Sequence, residues 1–196
     1  MNETSQADRF APLFAELDRR LAGEAPVRLA IEGGSASGKT TLGKILAERY
    51  DCTVFHMDDF FLRSEQRTAA RFAEPGGNVD RERFLAEVLL PLRRGEKVFY
   101  RRFDCASMQL QNAVETAPKK LVVAEGAYSM HPDLAPYYDL SVFLPISAEK
   151  QRERILKRNA PAHAKQFFDR WIPLEQRYFD AFDVQDRCDL ILSADD

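Results

Sequence analysis

Residues 27 to 50 read "VRLAIEGGSASGKTTLGKILAERY". An apolar run enters a glycine-rich turn and leaves it as a stretch with Leu42, Ile45 and Leu46 at helical spacing. Within it Gly33, Gly38, Lys39 and Thr40 satisfy the pattern G-x-x-x-x-G-K-[ST], and the strand before and helix after supply the context that gives the pattern meaning. Glycine lets the backbone wrap a phosphate with its N–H groups turned inward, and the helix that follows adds the positive end of its dipole. Gly33, Gly34, Ser35, Ala36, Ser37, Gly38, Lys39, Thr40 and Thr41 are therefore expected to bind a nucleoside triphosphate. Lys39 would reach the terminal phosphates, and Thr40 would offer its hydroxyl to a bridging magnesium ion.

Further strands are expected at "TVFHM", "LVVAEG", "LSVFLP" and "CDLIL", with helices near 81–93, 147–158 and 164–182. Strands alternating with helices predict an α/β fold with a central parallel sheet and helices on both faces. Ligands in such folds bind beyond the carboxyl ends of the strands, where "GGSASGKT", "DD" and "EG" all fall. Phe10, Leu13, Phe14, Leu17 and Leu21 predict an amphipathic N-terminal helix within residues 1–23, ended by Gly23. Residues 64–78 and 104–120 read as loops or excursions. The dense aromatics of "FFDRWIPLEQRYFDAF" (Phe167, Phe168, Trp171, Tyr178, Phe179 and Phe182) predict a long helix packed on the sheet and interrupted near Pro173.

The 196 residues suit a single domain, 45% of them apolar and 30% charged, with a net charge of -3. That balance excludes a disordered chain and argues against nucleic acid as the main partner. With no apolar run long enough to span a bilayer and no leader-like start, a cytoplasmic protein without membrane contact is expected. Cys52, Cys105 and Cys188 are widely separated, which suggests buried thiols rather than disulfides or a zinc site. His56, His131 and His163 show no ligand spacing. The guanine-reading NKxD-type motif of nucleotide switches is absent.

"HMDDFF" ends an apolar strand in two adjacent acids, and neither a sheet interior nor a plain solvated turn accounts for both. Glu125 closes the run "LVVA" where phosphate-loop proteins commonly place an acid for the metal or its water shell. "EKQRERILKR" at 149–158 holds five basic and two acidic residues. Arg154 and Arg158 lie four apart there, a repulsive spacing unless an anion sits between them.

Taken together, "GGSASGKTTL", "HMDDFF", "GNVDRERF", "YRRFDC", "VAEGAYS" and "RERILKRN" resemble the uridine kinase-like branch of the phosphate-loop kinases, from about Val27 to Leu192. The resemblance implies ATP as donor with Mg2+. It makes Asp58 the acid that takes the proton from the acceptor hydroxyl, and places Arg154 and Arg158 in an arginine-rich lid near 147–165. It gives Asp80 to the acceptor's sugar hydroxyls, where the sequence alone equally makes it a helix N-cap. Arg102, Phe103 and Asp104 fall where the family builds its acceptor pocket. Asp59 departs from the small polar residue usual at its position, and either holds magnesium through water or caps the turn. The tyrosine and histidine that help recognise uracil are absent, Phe103 and Met108 standing nearby. The expected activity is γ-phosphoryl transfer to a hydroxyl of a small metabolite, above all a nucleoside. A pantothenate- or glycerate-like acceptor and a nucleotide-binding switch are the alternatives, and assembly into a homo-oligomer is left open.

Overall fold

The computed structural model describes residues 9–193, so the first eight residues of the expected N-terminal segment lie outside the described part. Helix α1 (Ala11–Leu21) makes no side-chain N-cap bond and is held by packing, with Leu13 and Leu17 fully buried. Each such side chain stabilises the fold by roughly 1.5–3 kcal/mol. After it come β1 (Val27–Glu32), α2 (Lys39–Arg49) and β2 (Cys52–His56).

An excursion then carries a short helix, α3 (Ala69–Ala73), whose cap Thr68 accepts from the Arg71 amide at 3.1 Å. The next helix, α4, spans 81–93 and includes a π-helical turn at Leu85–Leu89. Strands β3 (Val98–Asp104), β4 (Gln109–Thr116), β5 (Leu121–Glu125) and β6 (Leu140–Phe143) follow, then α5 (Ala148–Arg158), a second long helix α6 at 161–182, and the two-residue β7 (Leu190–Ile191).

Five parallel strands form the main sheet in the order β2-β5-β1-β6-β7. Alternation along each strand divides the interior into two cores. Leu29 and Ile31 of β1 and Val123 of β5 meet Phe14 and Leu17 of α1 and Leu42 and Leu46 of α2. Ala30, Val122 and Ala124 face the other way, toward Phe84 and Val88 of α4 and Tyr178 of α6. Both faces are covered by helices, the expected arrangement for a parallel sheet.

Residues 104–120 are not a loop. β3 and β4 make an antiparallel ribbon with register from Val98↔Thr116 to Asp104↔Gln109. β4 is exposed along most of its length, with Leu110, Val114 and Thr116 half-buried, so too few apolar residues mark the strand for its period to show.

Both long helices contain a proline, Pro91 and Pro173, and both carry a π-helical turn just upstream, Leu85–Leu89 and Phe167–Trp171. Proline lacks an N–H and collides with the carbonyl four residues back, and a widened turn relieves both problems without ending the helix. The interruption near Pro173 takes that form. The aromatics of α6 also divide. Tyr178 is fully buried and Phe179 and Phe182 pack against the core. Phe167, Phe168 and Trp171 are half-exposed instead, beneath the guanidinium groups of Arg158, Arg152 and Arg170.

Candidate active site

β1 lies at the point where the chain's crossovers diverge, with β5 and β2 on one side and β6 and β7 on the other. A crevice opens there at the carboxyl edge, and the glycine-rich loop fills its floor. Gly33 adopts φ +147, and a Cβ there would lie 2.5 Å from the Leu144 carbonyl oxygen. Ala36, with no glycine's freedom, is held at φ 64, a strained conformation of the kind functional loops retain. Lys39, the first residue of α2, is 9% exposed and its Nζ donates to the Gly34 carbonyl at 2.8 Å. Thr40 Oγ1 donates to Glu125 Oε1 at 3.1 Å, joining the helix start to the end of β5. These two hard oxygen donors suit a magnesium ion shared with phosphate oxygens.

Glu125 is buried and also lies 2.5 Å from His56 Nδ1. That hydrogen bond raises the His56 pKa, partly against burial, with Asp59 and Asp58 adding to the rise. Gly126, at φ +144, allows the close approach of Met57, whose Cβ would lie 2.5 Å from a Cβ at this position. The turn carrying Asp58 is thereby pressed against the end of β5.

The adjacent acids have different fates. Asp58 opens onto the crevice and makes no hydrogen bond or ion pair among the described residues. Water reaches it, yet protein surrounds it on most sides, and that desolvation raises its pKa. Lys39 opposes the shift, while the negative charge of Glu125 adds to it. Asp59 pairs with Arg102, Nε to Oδ2 at 3.3 Å, and its carbonyl accepts from Arg83 at 3.1 Å. No cluster of three or more His, Cys, Asp or Glu side chains suited to a metal occurs among the described residues. Asp59 thus braces its turn against β3 through Arg102 and against α4 through Arg83.

Asp80, 1% exposed, caps α4 by accepting from the Arg83 amide at 3.2 Å, and its other oxygen lies 3.3 Å from Arg83 Nε. Of its two readings the structure displays the cap. Arg102 reaches Asp59, and Phe103 is buried beneath the Arg67 guanidinium. The Asp104 carboxylate accepts from the Ala106 amide at 2.9 Å and the Ser107 hydroxyl at 2.7 Å, closing the β3–β4 turn.

Of the two lid arginines, Arg154 reaches the loop, donating to the Ala36 carbonyl at 3.1 Å. Arg158 lies over Phe167, 5.6 Å from the ring centroid, because the chain folds back at Asn159 and brings α6 alongside. Other side chains on the loop escaped the sequence reading. Gln151 donates to the Ser35 carbonyl at 2.9 Å. Glu175 accepts from the Ser35 amide at 2.8 Å and its hydroxyl at 2.5 Å, and burial raises its pKa.

Beneath the loop, Glu32 is fully buried and accepts from the amides of Gly33 at 2.9 Å, Tyr128 at 3.2 Å and Met130 at 2.9 Å, and from the Tyr178 hydroxyl at 3.0 Å. Burial outweighs these donors and lifts its pKa to about 7. The one sequence signal for Glu32 is an acid closing a mostly apolar strand.

The family model for shikimate kinase matches residues 35–89, from the loop through Asp58 into α4. Among solved structures, the chain is similar to a possible uridine kinase from Bacillus stearothermophilus, with 20% identity, a TM-score of 0.67, and 90% of this chain and 99% of that one covered. It is also similar to a candidate fructose transport system kinase from Silicibacter sp. TM1040, with 23% identity, a TM-score of 0.73, and 93% and 98% covered. No curated protein sequence matches the chain. The fold is the α/β phosphate-loop fold of these proteins, and no helix among the described residues is long and apolar enough to cross a membrane.

Proposed function

We propose that this chain is a phosphotransferase that moves the γ-phosphoryl group of ATP to a hydroxyl of a small metabolite built on a nucleoside or sugar framework. The observation that carries the reading is Asp58, an acid without a hydrogen-bond or ion-pair partner among the described residues, under the influence of the loop lysine. A carboxylate with a raised pKa and free lone pairs is suited to accept a proton from a hydroxyl brought beside it. The fold-wide likeness to a possible uridine kinase supports the nucleoside-type acceptor.

The loop amides and Lys39 would bind the triphosphate, Lys39 exchanging its bond to the Gly34 carbonyl for phosphate oxygens. Thr40 and Glu125 would hold magnesium, which when bound supplies neutralising charge to the phosphates. Asp58 orients the acceptor hydroxyl and takes its proton. Gln151 and Arg154 hold the lid helix on the loop, which limits water at the phosphates and with it wasteful hydrolysis. ADP release measured across nucleosides, sugars and hydroxy acids tests the proposal. At least one acceptor should accelerate release in the wild type and not in Asp58→Asn. A chain indifferent to every acceptor would instead be a slow nucleotide switch.

A further inference from the structure

We infer that Glu175 is a positioning residue for the phosphate loop: from α6 it braces Ser35 so that Lys39 and the Ala36 amide are turned toward the phosphates. The inference rests on the nucleotide-binding half of the kinase reading above and adds to it what shapes the donor site. Glu175 is buried, and burying a carboxylate is costly unless its oxygens find donors. Here both go to one loop residue, Oε2 accepting from the Ser35 amide at 2.8 Å and Oε1 from its hydroxyl at 2.5 Å.

Three residues on along the same face of α6, Tyr178 donates to Glu32, which in turn accepts from the Gly33 amide. One helix thus holds the loop at Gly33 and at Ser35. Gly34 between them leaves room for the grip, since a Cβ there would lie 3.1 Å from Gln151 Nε2 and 3.6 Å from Glu175 Oε2.

The direction of the grip follows from the peptide plane. In a trans peptide the N–H and the preceding carbonyl point opposite ways, so the peptide that turns the Ser35 amide to Glu175 turns the Gly34 carbonyl away from it, where that oxygen receives Lys39 Nζ at 2.8 Å. Glu175 and Lys39 stand on opposite sides of one peptide, and the carboxylate leaves the lysine's side open to phosphate. The next two peptides are held from α5: Gln151 donates to the Ser35 carbonyl at 2.9 Å and Arg154 to the Ala36 carbonyl at 3.1 Å. Both planes flanking Ala36 are thereby set, and Ala36 keeps its φ of 64. The Gly33 and Ser35 amides go to buried carboxylates and the Ser37 amide to the Gly34 carbonyl at 3.1 Å. The amides of Ala36, Gly38, Lys39 and Thr40 have no acceptor among the described residues, and these are the donors left for phosphate oxygens.

Calorimetric titration of a non-hydrolysable ATP analogue with magnesium into the full chain tests the brace. Glu175→Ala should weaken binding by roughly 10- to 100-fold, the scale of hydrogen bonds to a charged group. Glu175→Gln should recover most of the affinity, because its carbonyl oxygen still accepts from the Ser35 amide while the Ser35 hydroxyl turns to accept from the new NH2. Asp180→Asn, altering another acid of α6 that accepts from Gln176, serves as a control and should match the wild type. Hydrogen exchange of the nucleotide-free proteins separates positioning from support of the fold. In Glu175→Ala the amides of residues 33–38 should exchange faster, while those of 172–182 keep their wild-type protection. Unchanged affinity in Glu175→Ala would overturn the inference, and so would tighter binding, which would make the carboxylate a competitor of phosphate. Protection lost along α6 as well as in the loop would overturn it too, making Glu175 a packing residue. Each of these outcomes leaves the kinase reading intact. Glu175-dependent nucleotide binding without acceptor-stimulated ADP release would overturn the kinase reading alone, and a wild type that binds no nucleotide would overturn both.

Discussion

The proposed nucleotide side of the crevice is one uninterrupted run from Gly33 to Thr41, whereas the proposed acceptor side gathers Asp58, Arg102 and Phe103 from separate segments. The first would bind largely through backbone groups, and its geometry follows from a strand, a glycine turn and a helix start. The second is held by side-chain pairs, Asp59 with Arg102, Asp80 with Arg83 and Glu87 with Arg101. A backbone site resists change because every residue sets the path of the next. A site of paired side chains can alter its specificity one pair at a time while the fold persists.

Asp58→Asn probes the acceptor side most severely. It should lower acceptor-stimulated ADP release by roughly 10²–10⁴-fold while a fluorescent-nucleotide titration shows ATP affinity nearly unchanged. Lys39→Ala, on the donor side, should cost roughly 10²–10³-fold with any acceptor and should also weaken nucleotide binding. If the two variants had the same signature, the division between the sides would fail.

Glu32 tests what supports the loop. In Glu32→Gln an amide NH2 must face N–H donors that now share the carboxylate, and urea unfolding should show a loss of about 1–3 kcal/mol. The pH dependence has a definite sign. With a folded pKa of about 7 against an ordinary 4.5, the folded chain retains a proton that the unfolded chain releases. The contribution of Glu32 to stability therefore falls as pH rises from about 4.5 to about 7 and is level above that. Glu32→Gln should lose this slope.

The Asp59–Arg102 pair should have the smallest effect. Arg102 is about half exposed, so a double-mutant cycle of Asp59→Asn with Arg102→Gln should give a coupling of about 0.2–1 kcal/mol in stability. Loss of activity in Asp59→Asn as large as that in Asp58→Asn would erase the distinction between the adjacent acids.

The same contrast explains what the sequence made legible. Strands buried on both faces, such as "LVVAE", stand out as continuous apolar runs, and the loop motif is contiguous, so the sheet and the nucleotide side could be read directly. β4 could not, because most of its side chains meet water and its pairing depends on a partner strand. Glu175 and Gln151 reach Ser35 across more than a hundred residues of sequence, a juxtaposition that only the tertiary fold creates. The position of Arg158 was hidden for the same reason: helical spacing sets it four residues from Arg154, while the return of α6 brings Phe167 beneath it. Asp59 is similar, its partner Arg102 coming from β3, a strand distant in sequence.

The most direct measurement follows the label from [γ-32P]ATP after incubation with the best acceptor from the ADP-release survey. The account predicts that the wild type places the label in a phosphomonoester of that acceptor, and that Asp58→Asn binds the nucleotide but forms little of the product. Label recovered only as inorganic phosphate, equally from both proteins, would contradict it.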